Sequence, residues 1–190
     1  MNFPGNSSDS FNSHAMTPDF AQSLYELFER EGIPLLLAGG WAVCHHGYSR
    51  YTNDIDWVCS RADVPRAIEF MRSIHFEIAF EAMATRFHKP SHPEVLPVDL
   101  IWVSPETFAK MSASPQRTGR HRNIPVIDFE ALLAMKLHAL KDDTERKGRD
   151  LLDIRFLLGE NPHAINEDRL RGLCERYAGT DAYNLVRMIP

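Results

Sequence analysis

Apolar and polar positions alternate along the chain in two regimes. The first begins at Thr17-Pro18, where Thr is a natural N-cap and Pro suits the first helical position. Phe20, Leu24, Leu27 and Phe28 then share one helical face, and Gly32 closes the helix. Leu35 to Ala38 is short, apolar and bounded by Pro34 and Gly39, the pattern of a buried strand. A helix from Trp41 to His46 and a strand from Ile55 to Cys59 follow. Ala67, Phe70, Met71 and Ile74 predict a helix over Ala62 to Ile74. Phe76 to Ala82 and Val98 to Val103 read as strands, separated by a loop near Lys89 to Pro97. Pro105 to Met111 predicts a short helix, Ser112 to Arg122 a polar basic loop, and Asn123 to Ile127 a last strand. From Asp128 the pattern turns wholly helical: Phe129 to Leu140, Gly148 to Leu158 and Glu167 to Tyr177.

The expected fold is therefore α/β, with a short mixed sheet flanked by helices and a helical C-terminal segment. Residues 1–16, rich in Asn and Ser and without periodicity, predict a disordered tail, with Met16 as a second possible start. Residues 17–127 form the expected core, and 128–190 a helical segment packed on it.

At 190 residues and 44% hydrophobic composition, the chain can bury a core without staples. Its longest apolar runs fall far short of the ~20 residues of a membrane span, so no membrane partner is expected. Cys44, Cys59 and Cys174 form no C-x-x-C pair, which fits a reducing cytoplasm better than a disulfide framework. Adjacent His45-His46, and His88 and His92 around Pro90, make no zinc-ligand set. A net charge of −5 argues against a broadly basic nucleic-acid binder. The local run Gln116 to Arg122 still offers a basic loop that RNA could use.

The chemistry concentrates in Leu37-Ala38-Gly39-Gly40-Trp41 and, a dozen residues later, His46-Gly47-Tyr48-Ser49-Arg50-Tyr51-Thr52-Asn53-Asp54-Ile55-Asp56. Two glycines between strand and helix let a phosphate approach the backbone. Asp54 and Asp56 flank Ile55 at a strand start, so alternation turns both carboxylates to one face. Two such carboxylates repel each other and call for a divalent cation. Asp99, inside the apolar strand Val98 to Val103, is costly unless paired. Were the two strands neighbours, three carboxylates would converge, enough for two Mg2+ ions. Arg50 lies close enough in sequence to clamp a triphosphate or to neutralise the aspartates. Lys136 falls near the centre of an apolar arc made by Leu132, Leu133, Leu137 and Leu140, so its ammonium needs an anionic partner. Asp150 is partly drawn inward on the next helix, and Asp153 lies nearer the boundary.

The combined G-G and R-x-T-x-D-I-D string resembles the polymerase-β-like minimal nucleotidyltransferases, among them the AbiE-type toxin nucleotidyltransferases. More loosely it is similar to aminoglycoside and lincosamide nucleotidyltransferases. The resemblance covers roughly residues 17–160. It implies transfer of an NMP from Mg·NTP, ATP among the candidates, to an acceptor hydroxyl. Gly39 and Gly40 would contact the triphosphate. Asp54 and Asp56 would ligate metal, and Asp99 would ligate metal and act as base. Trp41 stands where such proteins often carry a Ser, which passes that phosphate contact to backbone N–H groups or Arg50. The later Lys and the R-D-x-x-D stretch resemble the toxins' C-terminal motifs, which assigns Lys136 and Asp150 to the active site. That favours an RNA (tRNA included) or protein acceptor and an antitoxin partner. A small-molecule antibiotic acceptor and a non-catalytic nucleotide-binding module are the alternatives.

Overall fold

The structure, a computed structural model, describes residues 18–82, 84–115, 123–141 and 147–188. The tail 1–16, the cap Thr17 and the basic loop 116–122 lie outside the described residues.

Helix α1 (Pro18–Arg30) leads into β1 (Leu36–Leu37), α2 (Gly39–His45) and β2 (Ile55–Ser60). Helix α3 (Val64–Ser73), strands β3 (Glu77–Glu81), β4 (Ala84–His88) and β5 (Val98–Val103), and helix α4 (Pro105–Ser112) follow. Four helices complete the chain: α5 (Phe129–Ala139), α6 (Lys147–Glu160), α7 (Glu167–Tyr177) and α8 (Ala182–Arg187). The five strands form one mixed sheet in the order β1-β2-β5-β4-β3. β2 and β5 are parallel, and the other neighbours are antiparallel.

The α/β expectation holds, with three local differences. The predicted strand 123–127 reduces to one bridge, Leu37 to Val126, flanked by bonds from the Leu37 N–H to Pro125 and from the Ile127 N–H to Leu37. β4 falls in a stretch whose sequence carries no strong strand pattern: only Thr85 and Phe87 are buried on it. Helix α8 is short, and its apolar content gave no periodic signal.

Alternation along β2 sends Ile55 and Trp57 into the core and turns Asp56 the other way. Trp57 is fully buried and stacks on Tyr25 of α1. Helix α5 starts where the Asp128 side chain accepts the Ala131 N–H at 2.7 Å, a cap worth about 1 kcal/mol. Its Leu132, Leu133 and Leu137 join the same core as the sheet. Among the described residues no helix is long and apolar enough to cross a membrane.

His46, at the end of α2, ties the two halves together. Its Nε2–H donates to the Ile127 carbonyl at 2.9 Å, and its ring meets Phe129 edge-on. Its own carbonyl accepts from Asn161 Nδ2 at 2.7 Å. Burial lowers the imidazole pKa, against the opposing pull of the Ile127 bond and the Asp128 charge. The unfolded chain takes up this proton near pH 6.5 and the folded chain only below that. Stability is therefore full above about pH 6.5 and declines as the pH falls toward the folded-state pKa. Thermal melts between pH 7.5 and 5 are expected to show the wild-type Tm falling relative to that of His46→Gln as the pH drops, because the other titrating groups are common to both proteins. Identical slopes in the two proteins would remove His46 as the cause.

Candidate active site

A cleft opens between the sheet and helices α5 and α6. It is lined by Gly39, Gly40, Arg50, Thr52, Asp54, Asp56, Lys136, Arg149 and Asp150, with Ile101, Leu132, Met135 and Ala139 as its apolar wall. Seven of the eight residues singled out from sequence line it; Asp99 lies beside it on β5.

The glycine turn is dictated by close approach. Gly39 has φ +55, and a Cβ there would sit 1.7 Å from Asp56 Oδ2. A Cβ on Gly40 would sit 2.4 Å from Thr52 Oγ1. The Gly40 N–H donates to the Asp56 carboxylate. Trp41, which stands where the resembled proteins often carry a Ser, donates its Nε1–H to the Asp54 carbonyl at 2.9 Å and so pins the turn before β2.

The strand starts at Ile55, so Asp54 stands just before it and Asp56 within it. β2 and β5 are neighbours, and Asp56 pairs in register with Asp99. Asp99 in turn pairs with Arg86 of β4. Asp56, Asp99 and Arg86 thus form a row across three strands. Loss of water, then the charges of Asp54 and Asp99, push the Asp56 carboxyl up to about 7, while Lys136 opposes the rise.

Arg86 escaped the sequence reading. Its Nε and Nη2 donate to the two Asp99 oxygens at 2.7 and 2.5 Å, and Nη2 also reaches Asp54 Oδ2 at 3.0 Å. The signal that could have found it is the alternation of Thr85 and Phe87 around it.

The remaining expected residues meet at Asp153. Arg50 does not touch Asp54 or Asp56 through its fork; its Nε and Nη2 clasp Asp153 at 2.7 and 2.9 Å. Its Nη1 donates to the Tyr51 carbonyl on the cleft side. Lys136 bonds both Asp150 and Asp153 at 2.7 Å. The inward-facing Lys therefore has its anionic partners within the fold, and Asp153, 1% exposed, is the deepest of them.

As the side chains stand, no three histidine, cysteine or carboxylate groups among the described residues gather closely enough to cage a metal ion. Arg86 bonds both Asp54 and Asp99. The donors nonetheless fit a hard divalent cation: Asp54 and Asp56 line the cleft with their carboxylates, and Asp99 stands in register beside Asp56.

Asp153 serves two cations and Asp150 one. Removing one partner of a buried pair costs about 3–5 kcal/mol. Urea denaturation should place Asp153→Asn in that range and Asp150→Asn clearly below it, because Lys136 keeps Asp153. Equal losses would refute this ranking.

The family model described as "Nucleotidyl transferase AbiEii toxin, Type IV TA system" matches residues 72–186, more than half of the chain. No curated protein matches. The antibiotic-resistance factor ANT(2'')-Ia superposes with a TM-score of 0.64 at 12% identity, over 88% of this chain and 98% of that one. The lincomycin-bound lincosamide antibiotic adenylyltransferase LnuA gives 0.55 at 21% identity, over 74% and 97%. An antigenic nucleotidyltransferase-like protein from Paracoccidioides brasiliensis gives 0.52 at 14%, over 90% and 91%. These likenesses establish the nucleotidyltransferase fold. The matched family model establishes the kinship: this chain belongs to the AbiEii nucleotidyl transferase toxin family.

Proposed function

We propose that the protein transfers an NMP from an NTP to a hydroxyl of a macromolecular acceptor, RNA or protein, within a toxin–antitoxin pair. The observation that carries this reading is the cleft itself: a glycine turn, the Asp54/Asp56 pair and Lys136 all face one space. Membership of a toxin family favours a macromolecular acceptor and an inhibitory antitoxin partner. Three free cysteines suit a reducing cytoplasm. Residues 17–127 would form the catalytic core, with 128–190 packed on it as its helical wall.

Asp54 and Asp56 would hold Mg2+, and Gly39 and Gly40 would admit the triphosphate to the backbone. A bound divalent cation would neutralise the triphosphate and favour departure of pyrophosphate. Asp99 would accept the acceptor's proton as the hydroxyl oxygen bonds to the α-phosphorus and the bond to the pyrophosphate oxygen breaks. The proton then passes to solvent. Arg149, exposed on the rim, and Lys136 would draw the nucleotide in. Arg50, held by Asp153, would keep its Nη1 edge toward the turn that receives the phosphates. Rate enhancement would come mainly from positioning and charge neutralisation.

The test is label transfer. Purified protein is incubated with each α-labelled NTP and Mg2+, together with total RNA, cell protein, or a panel of aminoglycosides and lincosamides. Label is expected in the RNA or protein pool, and the Asp54→Asn/Asp56→Asn double variant should lose it roughly 100-fold or more. Label in the antibiotic pool would transfer the protein to small-molecule chemistry. Full activity in the double variant would overturn the carboxylate assignment.

A further inference from the structure

The sheet carries a permanent cation at the place where three converging carboxylates would otherwise need a second metal ion. Arg86 sits on β4 directly opposite Asp99 of β5, and strand pairing fixes that register. Its guanidinium grips Asp99 with two nitrogens and reaches Asp54 with one of them. Asp99 is almost enclosed, its side chain 11% exposed, so the pair is not a loose surface contact. A planar, forked guanidinium suits this bidentate geometry, and unlike a metal ion it cannot dissociate.

The charge balance points the same way. Among the buried and half-buried side chains in and beside the cleft, five carboxylates (Asp54, Asp56, Asp99, Asp150 and Asp153) meet three cations (Arg50, Arg86 and Lys136). Asp150 and Asp153 are matched by Lys136 and Arg50, and Asp99 by Arg86. What remains is Asp54 and Asp56, two negative charges, which one divalent ion neutralises.

We propose that Arg86 replaces one of two metal ions: the site takes a single divalent cation at Asp54 and Asp56, and Asp99 stays on Arg86 and is not a metal ligand. Arg86 is then a positioning residue that keeps Asp99 aimed at the acceptor hydroxyl. This deepens the nucleotidyltransferase reading and rests on it.

Equilibrium dialysis tests the count. The full chain is dialysed against Mn2+ and a non-hydrolysable α,β-methylene NTP analogue, and both are measured on the protein side. The expected ratio of bound Mn2+ to bound analogue is one for the wild type and two for Arg86→Gln, in which Asp54 and Asp99 are released to a second ion. A ratio of two in the wild type, or of one in both proteins, would overturn the proposal. Thermal melts guard against a variant that folds poorly. Arg86→Gln is expected to lose stability without metal and to regain it in millimolar Mn2+. A variant that stays unfolded in Mn2+ would show that an ion cannot stand in for the arginine, which also overturns the proposal. A folded wild type that binds neither Mn2+ nor analogue would instead defeat the nucleotide-cleft reading beneath it.

Discussion

A buried carboxylate that receives two cations from distant parts of the chain holds this site together. Asp153 of α6 is almost wholly enclosed, and it accepts from Arg50, which precedes β2, and from Lys136 of α5. A lone charge so deep would cost several kcal/mol, and it is tolerable because its oxygens are shared between a guanidinium fork and an ammonium. The consequence is geometric. Arg50 is drawn against the glycine turn, Lys136 is drawn over the Asp56 carboxylate, and α6 is fixed to both. The cleft exists because these three elements cannot separate without leaving a buried charge unpaired.

Cations are distributed around the cleft so that each answers a particular carboxylate. Lys136 answers Asp150 and Asp153, and Arg86 answers Asp99 while touching Asp54. Asp56 lines the cleft with no ion pair among the described residues, softened by the Gly40 N–H and the nearby Lys136. The least compensated charge therefore lies where Gly39 has had to give up its side chain. Backbone shape and electrostatics agree on the same point of the surface, and the proposal of a triphosphate in this cleft rests on that agreement.

Much of this was legible from residue order. Hydrophobic periodicity placed α1, α3 to α7, and β2 and β5 to within a few residues, because each buries one clear face. The glycine pair and D-x-D stood out because short spacing fixes which face they share. Lys136 on an apolar arc announced that it needed an anion. Other features depend on contacts across long stretches of chain. β4 buries only Thr85 and Phe87, so Arg86 looked like an ordinary polar residue; only the pairing of β4 with β5 brings it to Asp99. Asp153 seemed a boundary position on its helix, and its importance comes from Arg50, a hundred residues away. Residues 123–127 looked like a strand, but they meet β1 at one bridge, since β1 itself has only two residues to pair.

The family match begins at residue 72, after the glycine turn and after Asp54 and Asp56. The physical structure gives this division no weight. Arg86, Lys136 and Asp153 all lie in the matched stretch, and each acts on something outside it: Arg86 on Asp54, Lys136 on Asp56, and Asp153 on Arg50. The earlier stretch supplies surplus negative charge and a turn too tight for any side chain. The later stretch supplies Arg86 and Lys136, and the carboxylates that hold them and Arg50. Neither could form the cleft alone, so the kinship recorded in the later residues bears on the earlier ones through the charges they balance.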